Sequence, residues 1–216
     1  MTRTLLIGMF ILAIGGSAWA QERTAPLTPA DIEAAYTEAI QRRTEDILLQ
    51  LELSDSAKSN RVTDIIISQY RALRARDDII STVTSHNPPG ADAIREQIYQ
   101  SVTTPLHEQF LVKLSAELTP EQIEKVKDRM TYNKVQVTYN AYCEIIPDLT
   151  DAEKSKILAV LKEAREEAID GGSASHKSAI FQKYKDSIND YLNAQGHDVA
   201  KAYADWNAKQ AAANTQ

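Results

Sequence analysis

The residue with the most demanding chemistry in this chain is Arg165. At about 100° per residue, Ile157, Leu158, Leu161, Ala164, Ala168 and Ile169 gather on one helical face, and Arg165 projects between Leu158 and Leu161. A guanidinium inside that apolar arc needs an acid from a neighbouring helix, a ligand in a cleft, or a route for its head to water. Glu144, Asp148 and Asp190 are acids placed to serve it. The tyrosines form a second group, with Tyr132, Tyr139 and Tyr142 on one expected helix and Tyr184 and Tyr191 on another. Such rings give flat apolar faces with polar rims, and Asn133, Asn189 and Asp170 would be polar companions for a ligand stacked on them. The same rings serve equally as core or rim residues whose hydroxyls bond locally.

Catalytic constellations are sparse. Glu166, Glu167 and Asp170 cluster at helical spacing, but general acid and base work needs two acids across a cleft in different environments. His86, His107, His176 and His197 are scattered and show no i, i+4 zinc pair. The sequence carries no G-x-S-x-G, no Cys/His signature and no phosphate-binding glycine loop. Cys143, the one cysteine, is expected to be buried and without an internal disulfide partner. No catalytic residue, cofactor or metal ligand is expected.

Helices must position these groups. Four stretches put leucine before a hydroxyl cap: Leu27-Thr28-Pro29, Leu53-Ser54-Asp55, Leu118-Thr119-Pro120 and Leu149-Thr150-Asp151. Asp31, Gln122 and Glu153 complete capping boxes in three of them, and proline takes the first helical position in two. Helices are therefore expected over 28–51, 54–83, 91–116, 119–146, 150–170, 173–194 and 198–211. The paired glycines Gly171 and Gly172 are expected to end one helix in left-handed backbone, with Ser173 capping the next. Val135 to Tyr139 alternates like a strand, yet Tyr132, Val135, Tyr139, Tyr142, Cys143 and Ile146 share a helical face, which favours helix. Pro105 should kink or break the third helix. The fold class is all-α, a bundle of about seven helices in a single domain over 21–210. Its helix starts repeat in a way that suggests two diverged three-helix units, 27–117 and 118–195, plus a C-terminal helix; capping chemistry recurring wherever helices begin gives the same pattern.

Residues 1–20 read as a leader: Arg3, an apolar run from Leu5 to Ile14, and Ala18-Trp19-Ala20 as a cleavage site after Ala20. That run falls short of the roughly 20 apolar residues of a membrane span, and Gln21 stands where a lipid anchor would need cysteine. The expected location is periplasmic or secreted, with no membrane span after cleavage and a disordered tail over 211–216. The chain carries 24 Lys and Arg against 30 Asp and Glu, a formal net charge of −6. Such a surface repels phosphate backbones, so nucleic acid is not an expected partner.

Several runs resemble a bacterial family of exported proteins of unknown function described as sugar-binding. They are Gln69-Tyr70-Arg71-Ala72-Leu73, Met130-Thr131-Tyr132, Val137 to Tyr142, Pro147 to Thr150, Glu163 to Ala168, Phe181 to Lys185, Ile188 to Leu192 and Gly196-His197-Asp198. His197 departs from the tyrosine that family tends to carry there, and Ile180 from a common aromatic. The resemblance implies an exported, non-enzymatic protein that associates with carbohydrate or glycan. On that reading the ligand contacts are Tyr132, Tyr139, Arg165, Asp170, Lys183, Tyr184 and Asn189. A looser likeness joins Leu118-Thr119-Pro120-Glu121-Gln122 to the L-T-x-x-Q signature of periplasmic stress chaperones, which implies a concave apolar surface instead. A glycan-acting enzyme is the third class, and it requires two facing acids in one cleft.

Overall fold

A computed structural model describes residues 28–213, and it is all-helical over that range. The elements are α1 (Pro29–Leu51), α2 (Ser56–Thr84), α3 (Ala91–Ile98), a π-helical turn (Tyr99–Thr103), α4 (Thr104–Ser115), α5 (Pro120–Met130), α6 (Lys134–Ile145), α7 (Asp151–Ala168), α8 (Ala174–Ala194) and α9 (Val199–Ala213). The expected leader, 1–20, lies outside the described residues. So do the last residues of the expected tail, although α9 continues to Ala213. No helix among the described residues is long and apolar enough to cross a membrane.

Capping chemistry sets the starts. Thr28, Thr119 and Thr150 each accept from the backbone three residues on, and Asp31, Gln122 and Glu153 reach back to complete the box. Ser173 caps α8 as expected. The cap of the second helix falls one residue later than expected, because the Asp55 carboxylate, not the Ser54 hydroxyl, accepts from Ala57 N at 2.8 Å.

Two expected helices are interrupted. The span 91–116 widens into the π-helical turn just before Pro105, which has no N–H for a regular ladder and whose ring crowds the preceding turn. The span 119–146 breaks at Thr131–Asn133, where Tyr132 (φ 59°) and Asn133 (φ 53°) are both left-handed. Val135 to Tyr139 is helical, inside α6.

The glycine pair acts differently from expectation. Neither Gly171 nor Gly172 has positive φ, and α7 runs on through Ile169 in right-handed backbone. These glycines serve close approach. A Cβ on Gly171 would lie 2.9 Å from Lys177 Cγ, and one on Gly172 only 1.7 Å from the Asp77 carboxylate.

Burial divides into two apolar clusters. The first unites Ile40, Ile47, Val62, Ile66, Phe110, Leu114, Val126 and Met130 from α1, α2, α4 and α5. The second unites Tyr142, Ile145, Ile157, Leu161, Phe181, Ile188, Leu192 and Val199 from α6 to α9. Helix α5 therefore packs with α1 in the first cluster. Ile169, at the end of α7, is the residue of the later helices buried in that first cluster. Cys143, expected to be buried, is half-exposed, because it sits toward the flank of α6 while Tyr142 and Ile145 point inward. Trp206 docks α9, its indole donating to Glu144 at 3.0 Å.

Candidate ligand cleft

Arg165 is buried, as the apolar arc required, and its partners come from α5. Nη1 donates to Asp128 at 2.6 Å, and Nη2 donates to Glu124 and, at 3.1 Å, to Glu166. Burial works against the charge, but the bonds from Asp128 and Glu124 outweigh it and hold the guanidinium pKa above its usual value. Glu144, Asp148 and Asp190 are not its partners; Glu144 instead accepts from Trp206 and Gln210. Arg165 thus clasps α7 to α5.

One residue along α7, Glu166 turns toward a cavity of about 440 Å³. Helix α7 supplies Glu163, Glu166 and Glu167 to its wall, with Asp170 just beyond; α4 supplies His107 and Glu108, the π-helical turn Tyr99, and α8 Tyr184. His107 Nδ1 and Asp170 Oδ2 are 2.8 Å apart. Asp170 is buried, so this contact with His107 Nδ1 is shielded from water. The bond to Asp170 raises the His107 pKa against the effect of burial. Asp170 Oδ1 is buried without a hydrogen-bond partner among the described residues, and the Asp170 carbonyl accepts from Arg76 Nη2 at 2.8 Å. Tyr184 donates to Glu167 at 2.9 Å, and burial together with that bond pushes its phenol up to about 12.

A second cavity of about 450 Å³ also has Tyr99 in its wall. Arg76, Thr103, Arg95 and His176 are among its walls. Arg76 is buried and donates to Asp77 (2.6 Å), to Thr103 Oγ1 (3.1 Å) and to the Asp170 carbonyl. Beneath, Lys177 is buried and donates to the Ala168 and Ile169 carbonyls at 3.1 and 3.2 Å, ending α7; burial pushes its pKa down to about 8.

Of the seven residues expected to contact ligand, Asp170 and Tyr184 meet at the first cavity, and Arg165 stands behind its wall, joined through Glu166. The other four lie elsewhere. Tyr132 is at the α5–α6 break, its ring 5.8 Å from the Arg43 guanidinium. Tyr139 packs against the second cluster. Asn189 accepts from the buried Tyr142 hydroxyl at 2.6 Å. Lys183 is exposed on α8, 3.7 Å from Glu167 and 5.6 Å from the Tyr184 ring.

Sequence reasoning passed over Arg76, Lys177 and Tyr99, and it weighed His107 only as a zinc ligand. Arg76 follows Val62, Ile66, Gln69 and Leu73 on the buried face of α2, and Lys177 precedes Ile180, Phe181 and Tyr184 on that of α8. The pattern that singled out Arg165 marks both.

An all-helical fold with a polar, tyrosine-edged cleft defines a class of helical domain rather than a known activity. A family model covers residues 37–212, and the chain belongs to that family, described as a protein of unknown function, DUF3826. None of the curated proteins matches the sequence.

Proposed function

We propose that the protein is an exported, non-enzymatic carbohydrate-binding protein and that the cavity between α4, α7 and α8 receives the sugar. The observation that carries this reading is the meeting of Tyr99 and Tyr184 with the His107–Asp170 pair and the carboxylates of Glu163 and Glu167 around a space of about 440 Å³. Its size falls within the 300–1,000 Å³ or so of small-ligand sites. Carboxylates and an imidazole suit sugar hydroxyls, which both donate and accept, while a tyrosine ring offers an apolar face with a polar rim. The preponderance of acids disfavours phosphorylated or uronate ligands. Export rests on the leader-like residues 1–20.

Isothermal titration calorimetry of the mature chain against neutral mono- and oligosaccharides, chosen from a glycan array, tests the proposal. Binding should be saturable, and Tyr184→Ala or Asp170→Asn should weaken it about tenfold or more, whereas Tyr139→Phe, outside the cleft, should not. Absence of glycan binding by the folded protein, or binding indifferent to Tyr184, overturns it. Glu108 on α4 shares the cleft with Glu163 and Glu167 on α7, which supports a second reading, glycan hydrolysis. That reading predicts release of reducing sugar and its loss in Glu108→Gln.

A further inference from the structure

We infer that the two cavities flanking Tyr99 are subsites of one groove, so that the ligand is a linear neutral oligosaccharide spanning the π-helical turn and not a single sugar. This rests on the carbohydrate reading and extends it. Tyr99 lines both cavities, which are nearly equal at about 440 and 450 Å³, and it is among the exposed large apolar residues. A phenol ring in the wall common to both spaces, which forms the ridge of the proposed groove, would meet the ligand at the junction between sugar units.

The ridge is also braced from both sides. Arg76, in the wall of the second cavity, ties the Thr103 hydroxyl at the end of the π-helical turn to the Asp170 carbonyl. His107, in the wall of the first, holds the Asp170 carboxylate. One residue therefore fixes both walls, through its main chain on one side and its side chain on the other. Held walls are pre-organised, which lowers the ordering cost of binding a flexible chain. The π-helical turn itself is a departure from regular helix of the kind concentrated at functional sites. The two halves differ in charge. Glu108, Glu163, Glu166 and Glu167 crowd the first, while in the second Arg76 and Arg95 stand against Asp77, Asp92 and Glu96. This difference gives the groove a direction, and one end of an oligosaccharide should be preferred in each half.

The test is a calorimetric series of cello-, malto- and chito-oligosaccharides of one to six units on the mature chain. In the best-binding series, affinity should rise about tenfold or more between one unit and three or four, then level off. Tyr99→Ala should flatten that rise. Ser81→Trp, which fills the second cavity from an exposed position, and Arg95→Ala, which removes part of its wall, should each bring the longer members down toward the single-unit value, with circular dichroism confirming that the variants fold. Affinity independent of length in the native chain overturns the groove while leaving single-sugar binding in place. A rise with length that survives Ser81→Trp and Arg95→Ala overturns the assignment of the second cavity. No binding by any member overturns this inference, and the carbohydrate reading falls with it if the glycan array is also empty.

Discussion

The clasp at Arg165 makes a quantitative prediction because its partners are unequally buried. The guanidinium side chain is 4 % exposed, whereas Asp128 and Glu124 are 39 % and 46 % exposed. Removing the arginine strands acids that water can still reach, and Glu124 retains Lys127 at 3.4 Å. Arg165→Met also fills the apolar arc with a side chain of similar length. Its cost should be about 1 kcal/mol or less, as for replacement of an ion pair by well-packed hydrophobic residues. Removing the acids is the harsher change. Glu124→Gln with Asp128→Asn leaves a buried cation with Glu166 as its remaining acid, already shared with Lys127 at 2.7 Å, and Nε is unpartnered from the outset. Breaking a buried pair from that side costs about 3–5 kcal/mol, and the surviving Glu166 contact puts the expectation near the lower bound. Urea unfolding followed by circular dichroism measures both, with unchanged slopes showing that stability and not compactness has changed. In thermal melts the difference amounts to about 2–4 °C per kcal/mol for a chain of this size. If Arg165→Met destabilises as much as the double acid variant, the asymmetry argument is refuted. Adding Arg165→Met to the double variant should recover most of its loss.

Three further outcomes follow from the same contacts. Because Asp170 holds the folded-state pKa of His107 above its unfolded value of roughly 6.5, that contribution to stability is complete below 6.5 and is lost as pH rises through the folded pKa; His107→Gln should remove this dependence in pH-resolved denaturation. Lys177 has the opposite sign: its pKa is depressed to about 8 in the fold, so the unfolded chain binds more protons above that point and stability should rise between about pH 8 and 10, a rise absent from Lys177→Met. Gly172→Ala should displace the Asp77 carboxylate from Arg76 and cost about 1–3 kcal/mol, as overpacking does; a melting temperature equal to that of the native chain would show that Asp77 moves freely.

Helix starts were legible because capping is local chemistry. Thr28, Thr119 and Thr150 needed nothing beyond the next three residues to become caps. The burial of Arg165 was legible for a similar reason, since its own helix supplies the apolar arc. Its partners were not, because Asp128 and Glu124 reach it only through the packing of α5 on α7. The left-handed Tyr132 runs against residue preference and is fixed by non-helical bonds, such as Asn133 N to the Asp128 carbonyl at 2.8 Å. Pro105 announced an interruption without revealing that it would be a widened turn placing Tyr99 in the walls of two cavities. The His107–Asp170 pair joins residues 63 apart in sequence, and no periodicity within either helix reports it.

The separation of the two apolar clusters has a mechanical consequence. Apolar packing runs continuously within each half, but between them it narrows to Ile169, and much of the remaining bridge is polar: Arg165 with Asp128 and Glu124, Lys127 with Glu166, His107 with the Asp170 carboxylate and Arg76 with the Asp170 carbonyl. The arginines and the lysine of this bridge are buried, but the acids Glu124, Asp128 and Glu166 are 39–46 % exposed, so dissolved ions reach that side of it as they do not reach the apolar clusters. The waist of the molecule is therefore the part that strong brine can loosen first, while both ends stay folded.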